Sequence, residues 1–290
     1  MRLGLHALGI GTGAHRGVID AVAAAAEGNG FATLWSGEHV VMVDRSASRY
    51  PYAEDGKIAV PAAADWLDPM IGLSFAAAAT HTIGIATGVL LLPEHNPVLV
   101  AKQAATLDRL SGGRLTLGIG IGWSREEFAA LGVPFERRGE RTAEYVAAMR
   151  RLWSEDVASF DGEFVAFDEV RVNPKPVRNR RIPVVLGGNG DAALHRVAAW
   201  GDGWYGFNLA GIDDVAERIG VLRELCREVG REASELRLSV ALRDAEPGDV
   251  AALEELGVGE LVLVEAPPED PGDAADRVAT LARRYAPVRG

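Results

Sequence analysis

Residues 83–121 read IGIATGVLLLPEHNPVLVAKQAATLDRLSGGRLTLGIGI, and their pattern decides the fold class. Ile83–Leu92 is a continuous apolar run rich in branched residues, as expected of a strand buried on both faces. Asn96 supplies an N-cap side chain and Pro97 fits the first helical position, so a helix is predicted over Asn96–Leu110. A second buried strand follows at Arg114–Ile121. Two buried strands joined through a helix form a crossover, which makes them parallel neighbours.

The same rhythm extends outward in both directions. On the N-terminal side lie strand Leu3–Ala7, helix Arg16–Gly28, strand Ala32–Trp35, an irregular stretch to Asp68 and helix Pro69–Thr80. On the C-terminal side, an amphipathic helix Glu136–Ser154 and a hairpin-like Ser159–Val172 come first. Four further pairs follow: Ile182–Leu186 with Ala192–Trp200, Gly203–Phe207 with Ile212–Val229, Leu236–Leu242 with Asp249–Leu256, and Glu260–Val264 with Asp270–Tyr285. Eight strand–helix units in strict alternation imply a parallel sheet, and the count of eight favours a closed α/β (β/α)8 TIM barrel over an open sheet. A barrel needs about 250 residues, so the 290 present fit one domain over 1–290 with insertions after strands 2 and 4.

Bulk composition narrows the function classes. The net charge is −11 and no basic run occurs, which disfavours nucleic acid and acidic membranes as partners. No apolar run reaches the roughly 20 residues that a bilayer crossing needs, and MRLGLHALGIG enters a strand pattern with no signal-peptide cleavage region. The lone Cys226 excludes an intrachain disulfide and cysteine-rich metal clusters. A cytoplasmic protein is expected. An anionic ligand would have to be met by local donors, such as backbone N–H groups at a helix N-terminus.

In such a barrel the chemistry sits just after the strand C-termini. Strand 2 ends in Leu34-Trp35-Ser36-Gly37-Glu38-His39, placing an acid and an imidazole at the mouth. His39 there either donates a proton near neutral pH or pins its loop. The loop over residues 36–68 is long enough to wall a ligand, and it carries Tyr50, Tyr52 and Trp66. Gly88 inside strand 3 marks a bulge or relieves crowding. Strand 4 ends in Leu117-Gly118-Ile119-Gly120-Ile121-Gly122-Trp123, which lacks the dinucleotide fingerprint spacing but leaves interior room for a flat ring. Trp123 either stacks near a ligand or caps the core, and Glu126 and Glu127 read as a solvated helix start. Gly187-Gly188-Asn189-Gly190-Asp191, between strand and helix, can converge N–H groups on a phosphate, with Asn189 or Asp191 capping the helix. Gly9–Gly13 reads as a flexible turn, His81 as structural, and His195 and Cys226 as packing residues. No metal-binding or triad motif is present.

Leu34–Val41 (LWSGEHVV), Tyr50–Gly56 (YPYAEDG), Gly88–Lys102 (GVLLLPEHNPVLVAK), Ala105–Trp123 (ATLDRLSGGRLTLGIGIGW) and Pro183–Asn208 together resemble the bacterial luciferase-like family. The likeness is strongest to its branch of deazaflavin (coenzyme F420)-dependent oxidoreductases, and other relatives use FMN. The resemblance implies a flavin-type ring across the strand mouth with His39 at its reactive edge as the catalytic residue. Gly88–Val89 would form the family's bulge, often a cis peptide, backing the ring together with Ala7, Glu38, Leu90, Gly120, Gly122 and Trp123. Gly187, Gly188 and Asn189 would hold the phosphate, with Gly206 and Phe207 lining that end. Tyr50, Tyr52, Trp66 and Trp123 are the expected substrate contacts. The sugar-phosphate dehydrogenase branch has a carboxylate where this chain has Trp123 and a tryptophan shortly after the histidine, which is missing here. That departure argues against a sugar-phosphate substrate.

The expected activity is hydride transfer between F420 and a small organic carbonyl, imine or activated alkene, with the cofactor carrying the chemistry. An FMN-dependent monooxygenase of the same fold is the alternative, and a non-catalytic cofactor-binding protein is a further one. A barrel lyase using only the phosphate site would need a lysine or paired carboxylates at strand ends. Arg45, Arg49 and Lys102 are candidates to meet the acidic tail of the deazaflavin. Relatives are often dimers, which leaves a homodimer open.

Overall fold

The computed structural model describes residues 1–285. Strand β1 (Arg2–His6) leads to helix α1 (Arg16–Gly28), β2 (Thr33–Ser36), α2 (Pro69–Ala78), β3 (Gly84–Thr87), β4 (Leu90–Leu91) and α3 (Pro97–Leu110). Next come β5 (Leu115–Gly120), α4 (Arg125–Ala130), α5 (Arg138–Ser154) and an antiparallel pair, β6 (Ala158–Asp161) with β7 (Ala166–Val170). The chain then continues through β8 (Val184–Gly187), α6 (Asp191–Trp200), β9 (Gly203–Leu209), α7 (Ile212–Glu228), β10 (Arg237–Leu242), α8 (Asp249–Glu255), β11 (Glu260–Val264) and α9 (Pro271–Tyr285).

All pairings in the main sheet are parallel, and they close on themselves. β1 pairs with both β2 and β11, and β3 pairs with β5 as well as β2. With β3 and β4 as two parts of one crossing, this is the eight-stranded (β/α)8 barrel expected from the alternation. Local chemistry sets the helix starts. Asn96 Oδ1 accepts the N–H groups of Val98 and Leu99, and Asp68 Oδ1 accepts that of Ile71, which pairs donors that the first helical turn leaves free. Helix α5 starts at Arg138 rather than Glu136, because Arg137 at its N-cap is left-handed, with φ of 56°.

Two apolar layers result. The outer one, between strands and helices, holds Leu34, Leu73, Ile85, Leu117, Val184 and Cys226 among many others. The inner one fills the lumen with Trp35, Ala86, Val185, Tyr205, Ala241 and Val262. Trp35 and Tyr205 stack across the lumen with ring centroids 4.5 Å apart. His195 is exposed on α6 and is not a packing residue, whereas Cys226 is buried as expected.

The continuous strand expected over Ile83–Leu92 is broken by a cis peptide between Gly88 and Val89. Strand β5 is shaped to receive this break. A Cβ on Gly118 would lie 2.0 Å from the Thr87 carbonyl oxygen, and one on Gly120 would lie 2.7 Å from Val89 Cγ2. The space freed by these glycines is therefore filled by the neighbouring strand and is not left for a flat ring. No helix among the described residues is long and apolar enough to cross a membrane.

Candidate active site at the barrel mouth

The loop after β2 is held by two carboxyls of α4. His39 Nδ1 lies 2.9 Å from Glu127 Oε2, while Glu127 Oε1 accepts the N–H groups of Val40 (2.7 Å) and Val41 (3.3 Å). With one oxygen accepting two N–H groups, the carboxyl acts as an acceptor, so His39 donates Nδ1–H to it. Its Nε2 makes no hydrogen bond among the described residues. Glu127 is fully buried, which corrects the reading of it as a solvated helix start. Glu126 is also an anchor: it accepts the N–H groups of Ala47 and Ser48 at 2.8 and 3.2 Å. Its carboxyl is held down at about 2 by hydrogen bonds, that of the Ser48 side chain foremost. No local signal reveals these roles, since each partner is about eighty residues away in sequence.

Glu38 was expected to line the cofactor, but its carboxyl is engaged elsewhere. Oε2 accepts Leu91 N–H at 2.6 Å, and both oxygens lie 3.0 Å from His95 Nε2. This contact ties the loop to β4. Burial lowers His95, but the hydrogen bond and charge of Glu38 outweigh it and leave the imidazole raised. Close by, both oxygens of Glu94 are buried without a partner among the described residues. Burial, then the charges of Glu127 and Glu38, push this carboxyl up to about 9, so it stays protonated at neutral pH. Gly122 makes room for it: φ is 73°, and a Cβ there would stand 2.9 Å from Glu94 Oε1.

Six rings form an arc above the lumen. Trp66 meets His39 edge-on at 5.0 Å between centroids, and Trp66 Nε1 donates to the Gly37 carbonyl at 3.0 Å. His39 meets Trp123 (5.8 Å), Trp123 meets Tyr50 (5.4 Å), Tyr50 meets Tyr52 (5.4 Å) and Tyr52 meets Phe207 (5.6 Å). Both phenols are kept neutral by burial, Tyr50 raised and Tyr52 pushed up to about 12. The four residues expected to contact substrate are thus brought together beside His39. The turn at Gly9–Gly13 is tied to the end of the long loop after β2. Leu67 N donates to the Gly9 carbonyl, Gly11 N to that of Asp65, and Ile10 bridges Trp66.

The seat beneath the arc is lined by Gly37, Gly88 and Val89. A Cβ on Gly37 would lie 3.2 Å from the Gly88 carbonyl, and one on Gly187 would lie 3.0 Å from Val89 Cγ1. Ala7, the residue after β1, has φ of 87°. Leu90 points the other way, into the outer core. Gly206 likewise faces outward: a Cβ there would strike the Trp204 indole at 2.7 Å. That indole donates Nε1–H to the Gly188 carbonyl at 2.9 Å, so Gly206 shapes the loop before α6 through Trp204.

Neither Asn189 nor Asp191 caps α6; the N-cap is Gly190, without a side-chain bond. Asn189 is occupied by Phe207, donating to its carbonyl at 2.8 Å and accepting its N–H at 3.3 Å. Asp191 pairs with Arg218 at 2.8 Å. The uncapped helix start keeps backbone N–H groups available to an anion. From Asn189 a cleft of about 410 Å³ opens past Tyr52 and Asn208 to Arg218 and Arg243, with Glu54, Asp214 and Glu217 also in its lining and Glu217 paired with Arg218. The Arg243 guanidinium has no ion pair among the described residues. Of the cations proposed from sequence, Lys102 binds the Asn173 carbonyl and Arg49 the Glu54 carbonyl, and neither lines this cleft. Arg45 does not line it either.

A sequence profile described as luciferase-like monooxygenase matches residues 5–245. An uncharacterised protein of Mycobacterium tuberculosis is 36% identical over 273 residues, covering 93% of this chain and 95% of its own. Among solved structures, a monooxygenase from Streptomyces bottropensis superposes with a TM-score of 0.78 at 20% identity, each chain covered in full. A coenzyme F420-dependent tetrahydromethanopterin reductase from Methanopyrus kandleri gives 0.75 at 16% identity, covering 99% of this chain and 98% of its own.

Proposed function

Because the chain belongs to the luciferase-like monooxygenase family, we propose that it is an F420-dependent oxidoreductase exchanging hydride with a small organic substrate. The observation that carries the choice of cofactor is the cleft beyond Asn189. FMN ends at its phosphate, whereas the deazaflavin cofactor continues into an acidic tail. A space of about 410 Å³ leads from the Gly187–Asp191 loop past Glu54, Asp214 and Glu217 to Arg218, which Asp191 and Glu217 hold, and to Arg243, unpaired among the described residues; its length suits such a tail, and Arg243 is the cation that would meet it.

The residues present fit the group. Val89 would back the ring, the Gly188–Gly190 backbone at the start of α6 would hold the phosphate, and the glycines at 37 and 88 keep the floor beside the ring open. When bound and reduced, the deazaflavin supplies a hydride from its central ring carbon. The protein supplies orientation and a proton. His39 keeps Nε2 without a partner among the described residues, and Glu127 would fix its ring and support a positive charge on it. The aromatic arc narrows the mouth and keeps water from the reacting atoms.

Titrating the protein with oxidised F420 and with FMN tests this reading. Micromolar or tighter F420 binding is expected, with FMN at least tenfold weaker. Arg243→Ala should weaken F420 about tenfold and leave FMN unchanged. A preference for FMN, with oxygen consumed during turnover, would replace the reading with a flavin monooxygenase.

A further inference from the structure

The floor of the mouth holds a second imidazole. His6 points from β1 into the lumen, is 5% exposed, and places Nδ1 2.6 Å from the Tyr205 hydroxyl of β9. Among the described residues this is the hydroxyl's one hydrogen bond. Tyr205 is fully buried and its hydroxyl is held protonated, raised well above 10 by burial. A buried O–H needs an acceptor, and His6 Nδ1 is the acceptor at hand. Burial also keeps the His6 imidazole neutral, lowering it to about 4. The neutral ring therefore carries its proton on Nε2.

That nitrogen makes no hydrogen bond among the described residues. A Cβ on Gly37 would lie 3.3 Å from it, and one on Gly88 would lie 3.2 Å from the neighbouring Cε1. Glycine at both positions leaves this edge of the ring uncovered. The Phe207 ring stands 5.5 Å from His6, and Trp35 and Val89 complete an apolar floor. Among the described residues no guanidinium stacks on the arc; the cation–ring contacts involve Phe75, Phe135, Phe164 and Tyr285 instead. Among the described residues the floor thus offers a neutral N–H donor within aromatic walls and no cation to pair with a carboxylate or phosphate.

We propose that His6 donates its Nε2–H to the oxygen of an uncharged carbonyl substrate. This rests on the reading of the mouth as the hydride-transfer site and narrows its substrate class. Neutral imidazole suits the role, because its hydrogen bond strengthens as charge gathers on the oxygen while the ring keeps its proton. Tyr205 is a positioning residue that selects the tautomer.

The test uses ¹⁵N-histidine-labelled protein at pH 7, with and without oxidised F420, probed with acetophenone and with its charged counterpart benzoate. The His6 resonances, identified by their loss in His6→Gln, should show the Nε2–H tautomer, and Tyr205→Phe should give a mixture. Acetophenone should move the Nε2 signal and benzoate should not. His6→Leu should weaken acetophenone binding about tenfold, and His6→Gln, which keeps an N–H donor, should restore most of it. An Nδ1–H or charged ring, no acetophenone binding, or equal binding by His6→Leu would overturn the proposal. Acetophenone binding that depends on His6 in a protein that ignores F420 would keep the proposal and remove the deazaflavin reading. F420 binding with a silent His6 would do the reverse.

Discussion

Replacing Glu94 by Gln should stabilise the protein, and increasingly so as pH rises. Glu94 is 7% exposed, both its oxygens lack partners among the described residues, and its carboxyl is pushed from the ordinary 4.5 to about 9 by burial and by Glu127 and Glu38. A carboxyl raised in the folded state binds its proton more tightly there than in the unfolded chain. Stability therefore falls as pH rises above 4.5 and stops falling once pH passes the folded value near 9. Each pH unit inside that window removes about 1.4 kcal/mol, so by pH 7 the native carboxyl costs about 3 kcal/mol relative to acid conditions. Glutamine does not ionise, so the variant escapes this loss, although its amide N–H groups carry a pH-independent penalty if unpaired. Urea unfolding of both proteins at pH 5, 6, 7 and 8 isolates the slope. The stability difference in favour of Glu94→Gln should widen by about 1 kcal/mol or more per pH unit. A difference flat with pH, or shrinking as pH rises, would refute the protonated buried carboxyl.

Two further substitutions test the other supports of the site. Glu127→Gln should lower kcat by about 10- to 100-fold, a loss of about 1.4 to 2.7 kcal/mol of transition-state stabilisation, with little change in F420 affinity; steady-state kinetics beside a fluorescence titration would show the split. Gly118→Ala would place a methyl group 2.0 Å from the Thr87 carbonyl, so thermal unfolding should show a loss of about 3 kcal/mol or more, beyond the usual cost of core overpacking.

The barrel was legible because each crossing is a short apolar run followed by a helical period, a signal carried by neighbouring residues. Asn96 and Pro97 even marked the start of α3 to the residue. From the residues alone the break at Gly88–Val89 was visible only as an odd glycine, and it was the family resemblance that implied a cis peptide there; the room for it lies in Gly118 and Gly120 on another strand. His6 was hidden for the same reason. Within β1 it reads as one more strand residue, and its meaning comes from Tyr205, 199 positions later. Glu127 looked like ordinary helix-start charge until the fold brought the His39 loop over it. The ring types at the mouth were readable from their loops, whereas the directions of Leu90, Gly206 and Glu38 were not.

The two histidines of the mouth have neighbours that suit them to different work. His39 gives its Nδ1–H to a carboxyl, and a carboxyl can support the positive charge that appears when an imidazole gains a second proton. His6 rests on a phenol that must spend its only proton on Nδ1, and that nitrogen is then closed to further protonation. Charging His6 would require Tyr205 to turn its hydroxyl away within a fully buried site, leaving the O–H without an acceptor. Proton transfer to a reacting atom is accordingly open to His39 and barred to His6, which can only hold a hydrogen bond. A carbonyl oxygen placed within reach of both would be polarised from the floor and protonated from the rim, and exchanging the two supports, phenol for carboxyl, should exchange the roles.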